Sequence, residues 1–206
     1  TLAEENFLML WIGLTGGIAT GKSRVSQILR EQGIPVVDAD EQAHQAMAPG
    51  TVGHNLIIKT FGEEILDSAG GIDRKKLGSI VFSDKSKLSQ LEEILHPIVK
   101  EMTQNKRREL ETQGEEIAFY DVPLLFEKKL DQQFDKVVVV TCDESEQIKR
   151  LEERNQLSEE EARLRIANQL PLSEKVSQAD FVIENNSSIA NLKVNVVEVL
   201  KMISAS

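Results

Sequence analysis

What the chain lacks narrows the field first. There is one cysteine, Cys142, so no internal disulfide framework can form, and a reducing compartment is expected. Standing just after an apolar run, Cys142 reads as a small core residue. Lysine and arginine number 24 against 34 aspartates and glutamates, giving a formal net charge of −10. A broad nucleic-acid-binding face is therefore not expected, and any anion must be met by a local positive site. Long apolar runs are missing as well. Phe7–Leu14 falls far short of the roughly 20 residues that a membrane helix needs. It has no basic run before it and no small-residue cleavage site after it, so neither a membrane span nor a signal peptide is expected, and a cytoplasmic location is. Repeats and low-complexity tracts are absent. What remains is ordinary: 206 residues, 40 % hydrophobic and 28 % charged, enough for one domain with a small inserted lobe and a substantial core.

The apolar pattern alternates between strand and helix. The polar prefix Thr1–Asn6 is expected to fray. Met9–Thr15 reads as a short buried strand, Lys22–Gln32 as a helix stopped by Gly33, Ile34–Asp38 as a second strand and Asp40–Ala48 as a helix. From Gly50 to Gly114 no strand is expected. Two short helices there precede a long helical segment, and His96-Pro97 should kink that segment, because proline removes a donor and crowds the preceding turn. Strands then resume at Glu116–Asp121, Lys136–Thr141 and Asp180–Glu184. Helices fill Asp143–Asn155, opened by an Asp143/Glu146 capping box, Ser158–Leu170, opened by a Ser158/Glu161 box, and Ile189–Ile203. Five short apolar strands separated by helices predict an α/β fold: a five-stranded parallel sheet covered on both faces, with a helical insertion.

One stretch carries specific chemistry. Gly16-Gly17-Ile18-Ala19-Thr20-Gly21-Lys22-Ser23 matches G-x-x-x-x-G-K-[ST] in full, directly after a strand and opening a helix. Gly16 and Gly21 permit a tight backbone, successive amides converge on phosphate oxygens, and the helix start adds a favourable dipole. Lys22 supplies charge to the terminal phosphates and Ser23 a hydroxyl to Mg²⁺. The glycines do not fit the dinucleotide pattern G-x-G-x-x-G. ATP with Mg²⁺ is thus the expected donor, and three functions follow: a small-molecule kinase, a GTPase-like switch, or an ATPase acting on a protein or nucleic acid. The switch lacks a guanine-reading N-K-x-D, since Asn105-Lys106-Arg107-Arg108 has no aspartate. A motor wants a longer chain. A compact core with a helical insertion and a late arginine-rich segment has the layout of a nucleoside-monophosphate-kinase-like enzyme.

Further candidates surround the loop. Asp38 and Asp40 follow the second strand at the sheet edge where α/β folds bind ligands. Each is read either as a proton acceptor or Mg²⁺ ligand, or as a helix cap. Asp121, closing the apolar run before it, is placed to meet Mg²⁺ or to end a strand. Arg150 and Arg154, four apart, share a helix face that could clamp a phosphoryl group. Arg163 and Arg165 are read as further lid cations or as solvated partners of nearby glutamates. His96-Pro97 is read as shaping the insertion rather than performing chemistry.

Together these segments resemble dephospho-coenzyme A kinases. The resemblance runs from about Leu10 to Ile203 and rests on "GLTGGIATGKS", "VVDAD", "LHPIV", "DVPLLFE", "RNQLSEEEARLRIANQLPLSEK" and "ADFVIENN", in that order. It implies a P-loop kinase fold with transfer of the ATP γ-phosphoryl to the ribose 3′-hydroxyl of dephospho-coenzyme A, the last step of coenzyme A synthesis. It also implies a core over residues 1–49 and 115–206, a lid near residues 150–175, and an acceptor-binding lobe over residues 50–114. The catalytic base falls on Asp40, the phosphate-binding lysine on Lys22 and lid arginines on Arg150 and Arg154, with Asn185 near the adenine. No nucleic acid or membrane partner is implied, and a monomer or weak oligomer is expected. Two positions depart from the family pattern. Ala19-Thr20 replaces Gly-Ser, so Ala19 is expected in a conformation that alanine tolerates. Val176 stands where an arginine is common.

Overall fold

The computed structural model describes residues 9–206. The prefix Thr1–Asn6, expected to fray, lies outside the described residues. The chain divides into two compact units, one containing the residues up to Val37 and Leu110–Ser206, the other Asp38–Glu109.

The first unit is built on a parallel sheet of β1 (Leu10–Gly16), β2 (Val36–Asp38), β3 (Ile117–Asp121), β4 (Lys136–Thr141) and β5 (Phe181–Glu184), in the order β2-β3-β1-β4-β5. β1 is central. It pairs with β3 from Leu10↔Ile117 to Leu14↔Asp121 and with β4 from Ile12↔Lys136 to Gly16↔Val140. A strand flanked on both sides and covered on both faces needs apolar residues throughout, which is why these segments read as continuous apolar runs. On one face Ile12, Leu14, Phe119, Val138, Val140 and Ile183 meet two helices. These are α1 (Lys22–Glu31), through Val25, Ile28 and Leu29, and α9 (Ile189–Ser204), through Leu192, Val196, Val199 and Ile203. On the other face Trp11 stacks on Tyr120 and Tyr120 on Phe134, with centroids 5.8 and 5.9 Å apart. Both faces thus hold β1 rigid up to its carboxyl end, where Gly16 begins the loop.

Three further helices of this unit follow β4. α6 spans Glu144–Asn155, α7 Glu159–Ala167 and α8 Leu172–Ser177. The Ser158/Glu161 box forms as expected at α7. The Asp143/Glu146 box does not: the Asp143 side chain caps nothing in α6 and is instead tied to Asn186, whose amide nitrogen lies 3.3 Å from Asp143 Oδ1 while Asp143 N donates to Asn186 Oδ1 at 2.7 Å. A non-local partner outcompeted the local cap. α8 is too short and too mixed to carry a period, and the sequence pattern does not reveal it.

The second unit is helical: α2 (Ala39–Ala46), α3 (Val52–Phe61), α4 (Arg74–Phe82) and α5 (Lys85–Thr112), which runs on past the unit's last residue. Thr51 and Asp73 cap α3 and α4 through their side-chain oxygens. Ile57, Phe61, Ile65, Leu77 and Val81 form its core, against Leu88, Leu91, Ile94 and Leu95 of α5. Pro97 lies inside α5 without ending it: the helix is one 28-residue element. Among the described residues this unit contains no strand, only an isolated bridge between Leu66 and Ile72. No helix of the described residues is long and apolar enough to cross a membrane.

Candidate active site

The loop from Gly16 to Gly21 joins the end of β1 to the start of α1, and its shape is set by two glycines. A Cβ on Gly16 would lie 2.7 Å from Val140 O, and one on Gly21, at φ +94°, would lie 2.1 Å from Asn185 Nδ2. Neither position admits a side chain without rebuilding its neighbour.

The carbonyls of this loop are all engaged. Gly16 O accepts from Lys175 Nζ at 3.3 Å and Ile18 O from Gln147 Nε2 at 2.7 Å. Arg150 Nη1 donates to Ala19 O at 3.2 Å and to Thr20 O at 3.3 Å, while Asn185 Nδ2 donates to Thr20 O at 2.8 Å. Gly17 O takes Thr20 N and Oγ1, and Gly21 O takes Arg24 N and Val25 N. The peptide units are therefore turned so that several amides face away from these donors. Among the described residues no hydrogen bond occupies the amides of Ala19, Gly21, Lys22 or Ser23, whereas Ile18 N donates to Gln169 Oε1 at 2.7 Å. Four unpartnered amides at a helix start are an anion cradle made before any anion arrives.

This geometry also corrects the expectation for Ala19. Its φ is +59°, in the left-handed region that disfavours a Cβ. The turn that keeps its carbonyl on Arg150 imposes this, and the methyl is accommodated beside Ile148, Leu151 and Ala162.

Lys22, the first residue of α1, ion-pairs with Asp121 Oδ1 at the end of β3, and Ser26 Oγ donates to Asp121 Oδ2 at 2.5 Å. Asp121 is 2 % exposed. Both of its oxygens are thus held by α1, one turn apart. Ser23 and Asp121 supply hard oxygen donors of the kind Mg²⁺ takes together with phosphate oxygens, so the residues present fit that ion. No cluster of three or more His, Cys, Asp or Glu side chains able to hold a metal alone occurs among the described residues.

The two aspartates at the junction of β2 and α2 separate in role. Asp38 is the N-cap of α2: its Oδ1 accepts from Asp40 N at 2.9 Å and Glu41 N at 3.1 Å. Asp40, in the first turn of α2, is exposed, and no side-chain partner occupies its carboxylate among the described residues. The arginines separate too. Besides the loop carbonyls, Arg150 Nη2 donates to Asn185 O at 2.8 Å and lies 3.5 Å from Glu146, so its fork is committed to bracing the loop. Arg154 is exposed, with Nε on Asn155 Oδ1 at 2.9 Å. Arg163 pairs with Glu144 and Glu159 at the surface, the solvated reading. His96 is exposed, 3.9 Å from Glu92. Burial pushes the Cys142 thiol up to about 11, which leaves it no thiolate at neutral pH.

Sequence reasoning missed Ser26, Gln147, Gln169 and Lys175. Ser26 had a legible signal, a polar residue on the apolar face of α1 beside Val25 and Ile28. The other three had none, because each meets the loop at a backbone atom more than a hundred residues away.

A model of the family described as "Dephospho-CoA kinase" matches residues 10–191. A dephospho-CoA kinase of Bdellovibrio bacteriovorus is 49 % identical over 193 residues, 94 % of this chain and 96 % of the relative. One of Listeria monocytogenes is 49 % identical over 178 residues, 86 % of this chain and 89 % of the relative. Among solved structures, a dephospho-CoA kinase from Campylobacter jejuni superposes with a TM-score of 0.72 at 31 % identity, covering 95 % of this chain and 97 % of that one. A shikimate kinase from Bacteroides thetaiotaomicron, at 13 % identity and a TM-score of 0.54 over 95 % of this chain and 99 % of that one, shares the fold.

Proposed function

The chain belongs to the dephospho-CoA kinase family, and from that premise we propose how its residues divide the work. The reaction is transfer of the ATP γ-phosphoryl group to the ribose 3′-hydroxyl of dephospho-coenzyme A, in coenzyme A biosynthesis. The observation that supports the donor side is the set of unpartnered amides at Ala19, Gly21, Lys22 and Ser23, at the end of the central strand. They receive phosphate oxygens at no cost in broken internal hydrogen bonds. Lys22 leaves Asp121 for the β- and γ-phosphate oxygens. That movement frees one oxygen of Asp121 while Ser26 keeps the other in place. Ser23 Oγ and Asp121 would hold Mg²⁺, which when bound neutralises charge on the β- and γ-phosphates.

Asp40 takes the proton of the acceptor hydroxyl. Its unpartnered carboxylate supports this over Asp38, whose oxygen is committed to two amides. Arg154 closes over the equatorial oxygens of the transferring group, and Arg150 acts from behind, through the loop carbonyls it holds. In a loose transition state little deprotonation is needed early, so positioning and charge carry most of the rate. We assign acceptor binding to the helical unit and lid closure to residues around 150–175. The ATP donor and the lone, unpaired Cys142 fit a cytoplasmic enzyme, and a monomer or weak oligomer is the working form.

An acceptor panel with ATP and Mg²⁺ tests this reading: dephospho-coenzyme A, the common nucleoside monophosphates, shikimate and no acceptor. ADP release only with dephospho-coenzyme A is the expected result. Equal turnover with CMP or UMP, or strong hydrolysis without acceptor, would refute it.

A further inference from the structure

Lys175 stands apart from every other cation of the chain: it is 0 % exposed, yet it is a lysine on the six-residue helix α8. Its ammonium has two acceptors, Glu127 Oε1 at 2.7 Å and Gly16 O at 3.3 Å. Burying an ammonium costs heavily unless it is paired and hydrogen-bonded, and these two acceptors offset that cost here. The Glu127 carboxyl is held below the usual range: burial, the largest single influence, acts against this, and the hydrogen bonds from Lys175 and from backbone amides, with the nearby Lys175 ammonium, together outweigh it. The same Oε1 accepts Leu170 N at 3.1 Å. The preceding residue, Gln169, receives the Ile18 amide on its side-chain oxygen.

A closed circuit results. Gly16 O binds Lys175, Lys175 binds Glu127, Glu127 binds the Leu170 amide, and Gln169 returns to Ile18, two residues from Gly16. The circuit holds one carbonyl, Gly16 O, and one amide, Ile18 N, of the first turn of the phosphate loop, and takes up none of the amides of Ala19, Gly21, Lys22 and Ser23. It also places a full positive charge against the Gly16–Gly17 peptide carbonyl.

We propose that Lys175 is a positioning residue for nucleotide binding, which orients the Gly16–Ile18 peptides of the phosphate loop through Gly16 O and through the Glu127–Leu170–Gln169 link. This deepens the kinase reading and rests on it for the identity of the nucleotide. Lys175 acts through the backbone and touches neither substrate. Its removal should therefore cost affinity for ATP and ADP and spare both the acceptor and the chemical step.

Truncating Lys175 alone would strand the Glu127 carboxylate, so the test uses the double substitution Lys175→Met with Glu127→Gln. It removes both charges, keeps volume and leaves an acceptor for Leu170 N. The loss of one charge-assisted hydrogen bond at the loop is expected to raise KM for ATP by about 10-fold and to weaken ADP binding in calorimetry by a similar factor. The KM for dephospho-coenzyme A, kcat and the melting temperature should stay close to those of the parent enzyme. Unchanged ATP and ADP affinity in the folded variant overturns the proposal, as does a loss confined to kcat. A second measurement needs no variant: acylation of the parent enzyme with an amine-reactive reagent, read by peptide mass spectrometry. Lys175 should stay unreactive with and without ADP, while ADP protects Lys22. A Lys175 that acylates in either state is not holding Gly16, and the proposal fails. ADP calorimetry needs no acceptor, and the acceptor panel on the parent enzyme does not involve Lys175, so failure of the kinase reading is told apart from failure of this one.

Discussion

At the scale of single residues the sharpest contrast is between Asp38 and Asp40, two carboxylates two positions apart. Asp38 is committed to the amides of Asp40 and Glu41; the Asp40 carboxylate has no partner among the described residues. Asp40→Asn keeps the shape and loses the proton acceptor. Positioned general-base catalysis contributes typically about 10²–10⁴-fold, and a kcat loss of that size is expected with ATP affinity little changed. Asp38→Asn should mainly lower the melting temperature. Steady-state kinetics on both, at several Mg²⁺ concentrations, separate proton acceptance from metal binding: rescue of Asp40→Asn by excess Mg²⁺ would assign it to the metal. Pattern alone offered both aspartates without ranking them, and only the family resemblance pointed to Asp40, because a cap and a base have the same composition and differ only in what the oxygen meets. Ala19 is the other residue-scale case. At φ +59° an alanine carries strain that glycine would not, and Ala19→Gly gives back some packing against Ile148 and Leu151. The net gain is expected to be small, about 0.5 kcal/mol. A melting temperature that falls on Ala19→Gly would show that the methyl contacts outweigh the strain.

At the scale of elements, α6 shows why one helix face need not have one task. Arg150 and Arg154 are four residues apart, and helical spacing alone would aim both at the same ligand. Arg150 turns in to three carbonyls of the loop and of Asn185; Arg154, in the last turn, stays exposed. Arg150→Ala should therefore release the loop and raise KM for ATP, while Arg154→Ala should lower kcat with KM for ATP nearly unchanged. Initial rates across a grid of ATP and acceptor concentrations read this directly, and a pure kcat effect from Arg150→Ala would put it back among the groups that touch the transferring phosphoryl. The five strands, α1 and α9 were legible because apolar periodicity is a local property and these elements bury one continuous face. The loop was legible because its glycines, lysine and serine are adjacent in sequence. What was not legible is the shell around the loop. Gln147, Gln169 and Lys175 reach it only because the parallel sheet brings residues after β4 back beside β1. Likewise Asp143 looked like a cap until Asn186, forty-three residues on, claimed it. Pro97 does not end α5, since one lost donor is tolerated in a helix whose first turns are packed through Leu88, Leu91, Ile94 and Leu95.

At the scale of the whole molecule, two units with separate cores imply two ligand responses. The loop and its shell belong entirely to the first unit; the helical unit, Asp38–Glu109, has its own core around Ile57 and Phe61. A ligand stabilises what it binds by RT ln(1 + [L]/Kd), about 2.7 kcal/mol at a hundredfold excess over Kd, which slows exchange through opening of that region by about 100-fold. With hydrogen exchange read by mass spectrometry, ADP should slow exchange across Gly16–Val25 and α6. Dephospho-coenzyme A alone should slow it within Asp38–Glu109 if that unit binds the acceptor. Lys22→Ala should abolish most of the ADP effect and leave the acceptor effect in place, because the role proposed for Lys22 is toward the donor phosphates and not toward the acceptor. Protection by dephospho-coenzyme A confined to the first unit would remove acceptor binding from the helical unit. Loss of both effects in Lys22→Ala would mean that the acceptor site forms only once the nucleotide is bound, and that the two units do not respond independently.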